Sequence, residues 1–256
     1  MNIKYSLLGI CSLLILLNSS CQKELPESDQ VQGNARLKRI LLFASKDSSE
    51  PISIVEEYEY DENGRITRTS SPMYEDGVIV GTIRYDLYEY NSSGQLVRIM
   101  NFNANLNSPT GYINLENRTF IYNDDGNKEK ETIEYPEAGI MEYFMYEYLN
   151  DQLIKIEKYN NKSELESYVE NRYDKSGKLV KESSFAPDDH CFSYTVHTYS
   201  GPLLLKSDVF RGGVHLREIT RTYDENNNLI ILESNELAPF SSASSYVLKY
   251  EYYEEV

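Results

Sequence analysis

Tryptophan is absent from the 256 residues, and there are only three cysteines and three histidines. Cys11 and Cys21 both lie near the N-terminus, so Cys191 stands alone in the body and no intramolecular disulfide forms there. No second His or Cys stands at zinc-ligand spacing, so the sequence gives no metal site. Gly-rich phosphate loops, nucleophile elbows and zinc-protease helices are missing, and no cofactor is implied. Helical periodicity is missing beyond residue 20. Positive charge is short as well: 25 Lys and Arg face 41 Asp and Glu, for a net charge of −16. That balance disfavours nucleic acid and anionic membrane surfaces as partners.

The longest apolar run, LLGICSLLILL (7–17), is too short to span a bilayer comfortably. It follows Lys4 and precedes NSSC, which ends at Cys21. The segment 1–20 resembles a lipoprotein signal peptide, with Cys21 as the lipidated residue; Asn18 stands where such signals prefer Leu. Gln22-Lys23-Glu24 resembles the surface-export tag of Bacteroidetes lipoproteins. The expected location is the outer membrane, facing the cell surface, with a periplasm-facing protein as the alternative. Residues 21–35 hold the lipidated cysteine and a disordered tether. The acyl chain alone would hold such a protein to a membrane.

Tyrosine is what the chain has in quantity: 23 residues. YEYDENGRITR (58–68) returns thirty residues later as YEYNSSGQLVR, and the pattern recurs across 36–256. Its anchor tyrosine falls at Tyr60, Tyr90, Tyr122, Tyr148, Tyr173, Tyr199 and Tyr223. A turn follows (DENG, NSSG, NDDG, LND, DKSG, SGP, DENN), then an apolar residue, with Lys128 the exception. Two residues further stands Arg68, Arg98, Lys130, Lys155, Lys181 or Lys206. DENG suits a three-residue hairpin loop with glycine in the left-handed position. That count sets Tyr60 opposite Ile66, and Tyr58 opposite Arg68. Asn150-Asp151 and Gly201-Pro202 read as two-residue loops that keep the Tyr–Leu pairs, because a one-residue slip would turn every side chain over.

RLKRILLF (36–43) aligns with the second strand of a unit, and YVLKYEYYEEV (246–256) with a first. Seven hairpins and two complementary half-units predict an all-β antiparallel meander of about sixteen strands. The half-units pair to close a wide barrel. Neither face is uniformly apolar, so the wall is not a lipid-facing one. Residues 101–115 form the longest link and are expected to project.

The aromatic-Tyr-Asp-turn-Gly-basic-Leu pattern resembles the YD repeats of Rhs-type proteins, whose repeats wind into a hollow β-shell. Together with the signal it is similar to a family of secreted Bacteroidetes proteins of unknown function with a porin-like fold. The resemblance implies a wide, non-membrane barrel and supplies no catalytic residues.

DDHC (188–191) is the one cluster that invites catalysis, but adjacent strand residues point to opposite faces, and Cys191 is expected to be a buried structural cysteine. A hydrolase is therefore the weakest reading. NDDGN (123–127) is explained by turn geometry without calcium. Tyrosine and basic columns carry the remaining candidate: Tyr58, Arg68, Tyr88, Arg98, Lys130, Tyr146 and Lys155 as a stacking site for a glycan, a peptide or an envelope protein. The expectation is a monomeric, non-enzymatic interaction module, with a structural spacer as the alternative.

Overall fold

The computed structural model describes residues 35–75, 78–237 and 245–253. The expected signal segment, Cys21 and most of the expected tether lie outside the described residues. Strands β1 (Leu37–Phe43), β2 (Ser53–Tyr60), β3 (Ile66–Glu75), β4 (Val78–Tyr90), β5 (Leu96–Ala104) and β6 (Tyr112–Tyr122) open the chain. They are followed by β7 (Lys128–Tyr135), β8 (Ile140–Leu149), β9 (Gln152–Tyr159), β10 (Leu165–Tyr173) and β11 (Leu179–Phe185). The last five are β12 (Cys191–Ser200), β13 (Leu203–Arg211), β14 (Val214–Tyr223), β15 (Leu229–Glu236) and β16 (Tyr246–Tyr252). Each pairs antiparallel with its sequence neighbours, and β1 pairs with β16 to close the barrel. Leu37 meets Tyr252 and Phe43 meets Val247, so the two half-units complete one another. Closure removes the two edges that an open sheet of sixteen strands would expose.

Every motif turn lies at one end of the barrel, together with Leu37 and Tyr252. The alternate connections lie at the far end. In the DENG loop, Asp61 Oδ1 accepts from the amides of Asn63 and Arg65, at 2.9 Å each. Gly64 takes φ +81°, a region open to glycine at no steric cost. The same double acceptance recurs at Asn91, Asn123, Asp174 and Asp224. Asn150 and Asp151 both have positive φ, as a two-residue I′ turn requires. The projecting 101–115 link is corrected: β5 runs to Ala104 and β6 starts at Tyr112, so strand pairing absorbs all but 105–111.

The anchor pairs stand as expected, Tyr60 with Ile66, Tyr148 with Leu153 and Tyr199 with Leu204. The next pair does not. A β-bulge follows each anchor, so Glu59 faces Arg68 and Tyr58 faces Thr69. The bulge recurs in all seven hairpins. One extra residue on the second strand (Thr67, Val97, Glu129, Ile154, Val180, Leu205 or Ile230) turns the basic column to the opposite face from the aromatic column.

The anchor tyrosines serve the joints between hairpins. Tyr60 Oη donates to the Leu37 carbonyl at 2.8 Å, Tyr90 to Ile66 at 2.9 Å and Tyr122 to Leu96 at 2.7 Å. Tyr173, Tyr199, Tyr223 and Tyr252 reach Leu153, Leu179, Leu204 and Leu229 in the same way. Each hydroxyl takes the carbonyl that lies beyond the last ladder pair between neighbouring hairpins, where no strand amide is available. Tyr90→Phe is expected to cost about 1 kcal/mol, the worth of one such bond. Urea unfolding followed by tyrosine fluorescence measures it, and an unchanged midpoint would remove the clasp from the account.

Candidate functional site: the lumen wall

Alternation decides which residues face inward. Tyr58, Thr69, Glu131, Tyr146, Ser207 and Ser234 are buried, whereas Glu59, Glu89, Ile121, Glu147 and Arg172 on the alternate face are exposed. The first set lines the interior and the second the outer wall. Tyr58, Tyr88 and Tyr146 therefore point inward, and Arg68, Arg98, Lys130 and Lys155 point outward. The seven candidate residues do not converge on one site.

The outer residues form a ladder of their own. Arg68 sits over the Tyr85 ring at 4.9 Å, Lys130 over Tyr143 at 4.6 Å, Lys155 over Tyr168 at 4.6 Å and Lys181 over Tyr194 at 4.3 Å. The second face of each ring stacks on Phe102, Tyr159, Phe185 or Phe210, at 4.7–4.9 Å between centroids. Both faces of these four rings are thus filled, which leaves a sugar no platform there. Arg68–Glu59 and Arg98–Glu89 ion pairs share this surface, at 3.3 and 4.0 Å. Sequence reasoning missed these tyrosines, although each stands five residues before an anchor.

Inside, residues stack in layers. At the motif end, the anchor tyrosines and their apolar partners form a girdle in which Leu37, Leu96, Leu204 and Leu229 are buried. The next layer is polar and closely packed. Tyr58 Oη donates to Glu56 Oε2 at 2.5 Å, and Tyr146 Oη to Glu131 Oε2 at 2.8 Å. Arg118 and Lys128 approach the same Glu131 carboxylate at 3.3 and 3.8 Å. His197 lies 3.0 Å from both Ser207 Oγ and Glu182 Oε2, and Arg221 donates to Ser207. Lys128, the exception in the apolar column, is explained: it points inward, with Glu131 as its counter-ion and the Tyr146 ring 4.5 Å away.

Toward the far end the side chains open to water. Arg84 and Arg118 keep 27% and 28% side-chain exposure, against 6% and 3% for the Glu56 and Glu131 they pair with. These inner hydrogen bonds and ion pairs, with Lys158–Glu142 and Arg217–Glu236, join strands at most two places apart in the ring. The buried apolar cluster of Leu41, Phe43 and Val247 lies on the outer face of the closing seam, under Lys249, and not in the interior. The inner face is therefore polar above the girdle, a cup whose side chains grow more exposed toward the far end. The far rim is apolar: Ile52, Val78, Ile79, Val80, Leu106, Ile140 and Met141 are all exposed there.

Burial holds the inner phenols protonated. Desolvation pushes Tyr60 and Tyr252 up to about 12, and it raises Tyr58, Tyr88 and Tyr250 further. A raised folded-state value gives stability that is complete below the unfolded tyrosine value of about 10 and is lost as pH climbs through the folded one. The barrel is expected to unfold between about pH 10 and 12 with a coincident rise in tyrosinate absorbance. Full tyrosine ionisation in a still-folded barrel would contradict the buried placement.

The DDHC cluster lies apart from the lumen. Residues 186–190 form a far-end turn with Asp189 at φ +65°, and Tyr168 donates to Asp189 at 2.7 Å. Cys191 is exposed, which corrects the expectation of a buried cysteine: β12 begins with it on the outer face, opposite Phe185. A cleft of 380 Å³ at the motif end is lined by Asn123, Asp125, Tyr148 and Asp151, among others. Asn123 Oδ1 there is engaged by two loop amides. Among the described residues no cluster suited to a metal ion is found.

No family model matches the chain. No curated protein matches it either. A porin-like protein from Bacteroides uniformis ATCC 8492 superposes with a TM-score of 0.56 at 13% identity, over 85% of this chain and 98% of that one. A porin-like protein from Bacteroides vulgatus ATCC 8482 gives 0.39 at 11% identity, over 85% and 98%. The TcdB2-TccC3-Cdc42 crystal structure gives 0.32 at 12% identity, over 80% of this chain and 14% of that one. The first likeness shows a shared fold, the closed antiparallel barrel; the other two superpose too loosely to carry an argument.

Proposed function

We propose that this protein is a non-enzymatic cell-envelope lipoprotein, anchored through Cys21 at the outer membrane and acting as an interaction module. The observation that carries the reading is the polar cup. Its more exposed end is the far one, while Leu37, which follows the tether, lies at the motif end with the girdle. A chain anchored at residue 21 would thus hold the exposed end of the cup away from the membrane. The repeat's likeness to YD shells supports the same picture of a hollow body built by hairpins.

Photo-crosslinking in intact cells tests this. A crosslinker at Val80, on the rim, is expected to give discrete adducts, and one at Thr222, on the outer wall near the motif turns, none. Adducts from neither would favour the second reading, a rigid spacer, which the seven tyrosine clasps between hairpins support. Cys21→Ser is expected to move the protein from the membrane to the soluble fraction; retention in the membrane would sink the lipoprotein assignment.

A further inference from the structure

Resting on that interaction reading, we infer that the cup binds an uncharged oligosaccharide, with Glu56, Arg84, Asp86, Tyr88, Asn101 and Asn103 as its subsite. The six residues lie on β2, β4 and β5 and share the inner face. Asp86 lies opposite Asn101, Arg84 opposite Asn103, and Tyr88 one layer nearer the floor. Arg84 reaches Glu56 at 3.8 Å, and Asn101 donates its amide to Asp86.

The ligand class follows from what this lining offers. Arg84 faces two carboxylates, so an anion meets net negative charge and gains nothing from entering; a cation finds both carboxylates already engaged, Glu56 by Tyr58 and Arg84 and Asp86 by Asn101 and Thr69. A hydroxyl accepts from Arg84 and donates to a carboxylate in a single contact, which suits a group that both donates and accepts. Asn103 is half-buried, and its Oδ1 has no hydrogen-bond partner among the described residues. An acceptor left that way is costly, and turning the amide toward a ligand hydroxyl would relieve it. An extended peptide is poorly served inside the lumen. Strand addition needs an open edge, and each strand of the ring is paired on both sides.

The full chain carrying Cys21→Ser, screened against unsubstituted neutral oligosaccharides and then titrated calorimetrically, provides the test. At least one neutral oligosaccharide is expected to bind, with at least tenfold loss in Arg84→Met. The outer-wall variant Lys181→Met should bind within twofold of the parent. Asn103→Leu serves as the second lumen variant should Arg84→Met fail to fold, as judged by circular dichroism. Loss in Lys181→Met with binding intact in the lumen variants would overturn the site. Binding of acidic glycans alone would overturn the ligand class. No glycan binding, with rim adducts from Val80 still present in cells, would end the oligosaccharide inference and leave the interaction reading standing.

Discussion

Replacing Glu131 by alanine is expected to destabilise the barrel by about 3–5 kcal/mol, the cost of orphaning buried opposite charges. Glu131 is only 2% exposed, and its carboxylate is shared by Tyr146, Arg118 and Lys128. Without it, the guanidinium and the ammonium face each other across the lumen wall with one counter-charge fewer. Arg118 keeps a second partner, because its Nε donates to Glu116 at 2.5 Å. Lys128 lies 3.8 Å from the same carboxylate, and this makes a compensation testable. Leucine fills the Lys128 position in most other hairpins, so Glu131→Ala with Lys128→Leu should recover part of the loss. Urea unfolding of both variants decides the matter. A loss below 1 kcal/mol in Glu131→Ala, or a double variant as damaged as the two single ones added together, would show that the wall does not depend on this carboxylate.

The expected cost is large because the interior of this barrel holds charge where a smaller barrel would hold leucine. That distribution was only half legible in the sequence. Strand count, closure and the anchor pairs follow from the turns, since DENG and its relatives fix where each hairpin folds back and the half-units at 36–43 and 246–253 complement one another. The side of the wall on which the basic column stands does not follow from them. It depends on one inserted residue per hairpin, and five of these (Val97, Ile154, Val180, Leu205 and Ile230) are aliphatic, beside Thr67 and Glu129. A bulge is specified by backbone hydrogen bonding and not by a side chain, so an aliphatic column there reads as an ordinary strand face. Once the bulge is counted, Asn171, His197 and Arg221 cease to be degenerate copies of an aromatic column. They are the polar stretch of the same inner layer, and two of them meet at Ser207. The Tyr58–Arg68 pairing dissolves for the same reason, and Arg68 finds its ring on the next strand, at Tyr85.

Ending the chain at residue 245 tests closure itself and carries the largest expected effect. Strand β16 is the only link between β15 and β1. Its loss would uncover Leu41, Leu42 and Phe43, which are 5–7% exposed in the closed barrel. It would also remove the Arg39–Glu251 contact at 2.6 Å and the Tyr252 clasp on Leu229. Returning three large apolar side chains to water costs roughly 5–9 kcal/mol at about 1.5–3 kcal/mol each. A domain's whole stability is only about 5–15 kcal/mol. The damage is not confined to energy, because β1 and β15 become open edges, and β1 reads LKRILLF. An uncovered apolar edge pairs with whatever strand it meets, most readily its own kind. The shortened chain is therefore expected to form oligomers in size-exclusion chromatography with light scattering, and to lose its single cooperative unfolding step. A synthetic peptide of residues 245–256 added during refolding should restore the monomer, since it returns the missing strand to an otherwise intact ring. A shortened chain that stays monomeric, with the parent's urea midpoint, would mean that fifteen strands hold their curvature unaided and that the seam is ornamental to stability.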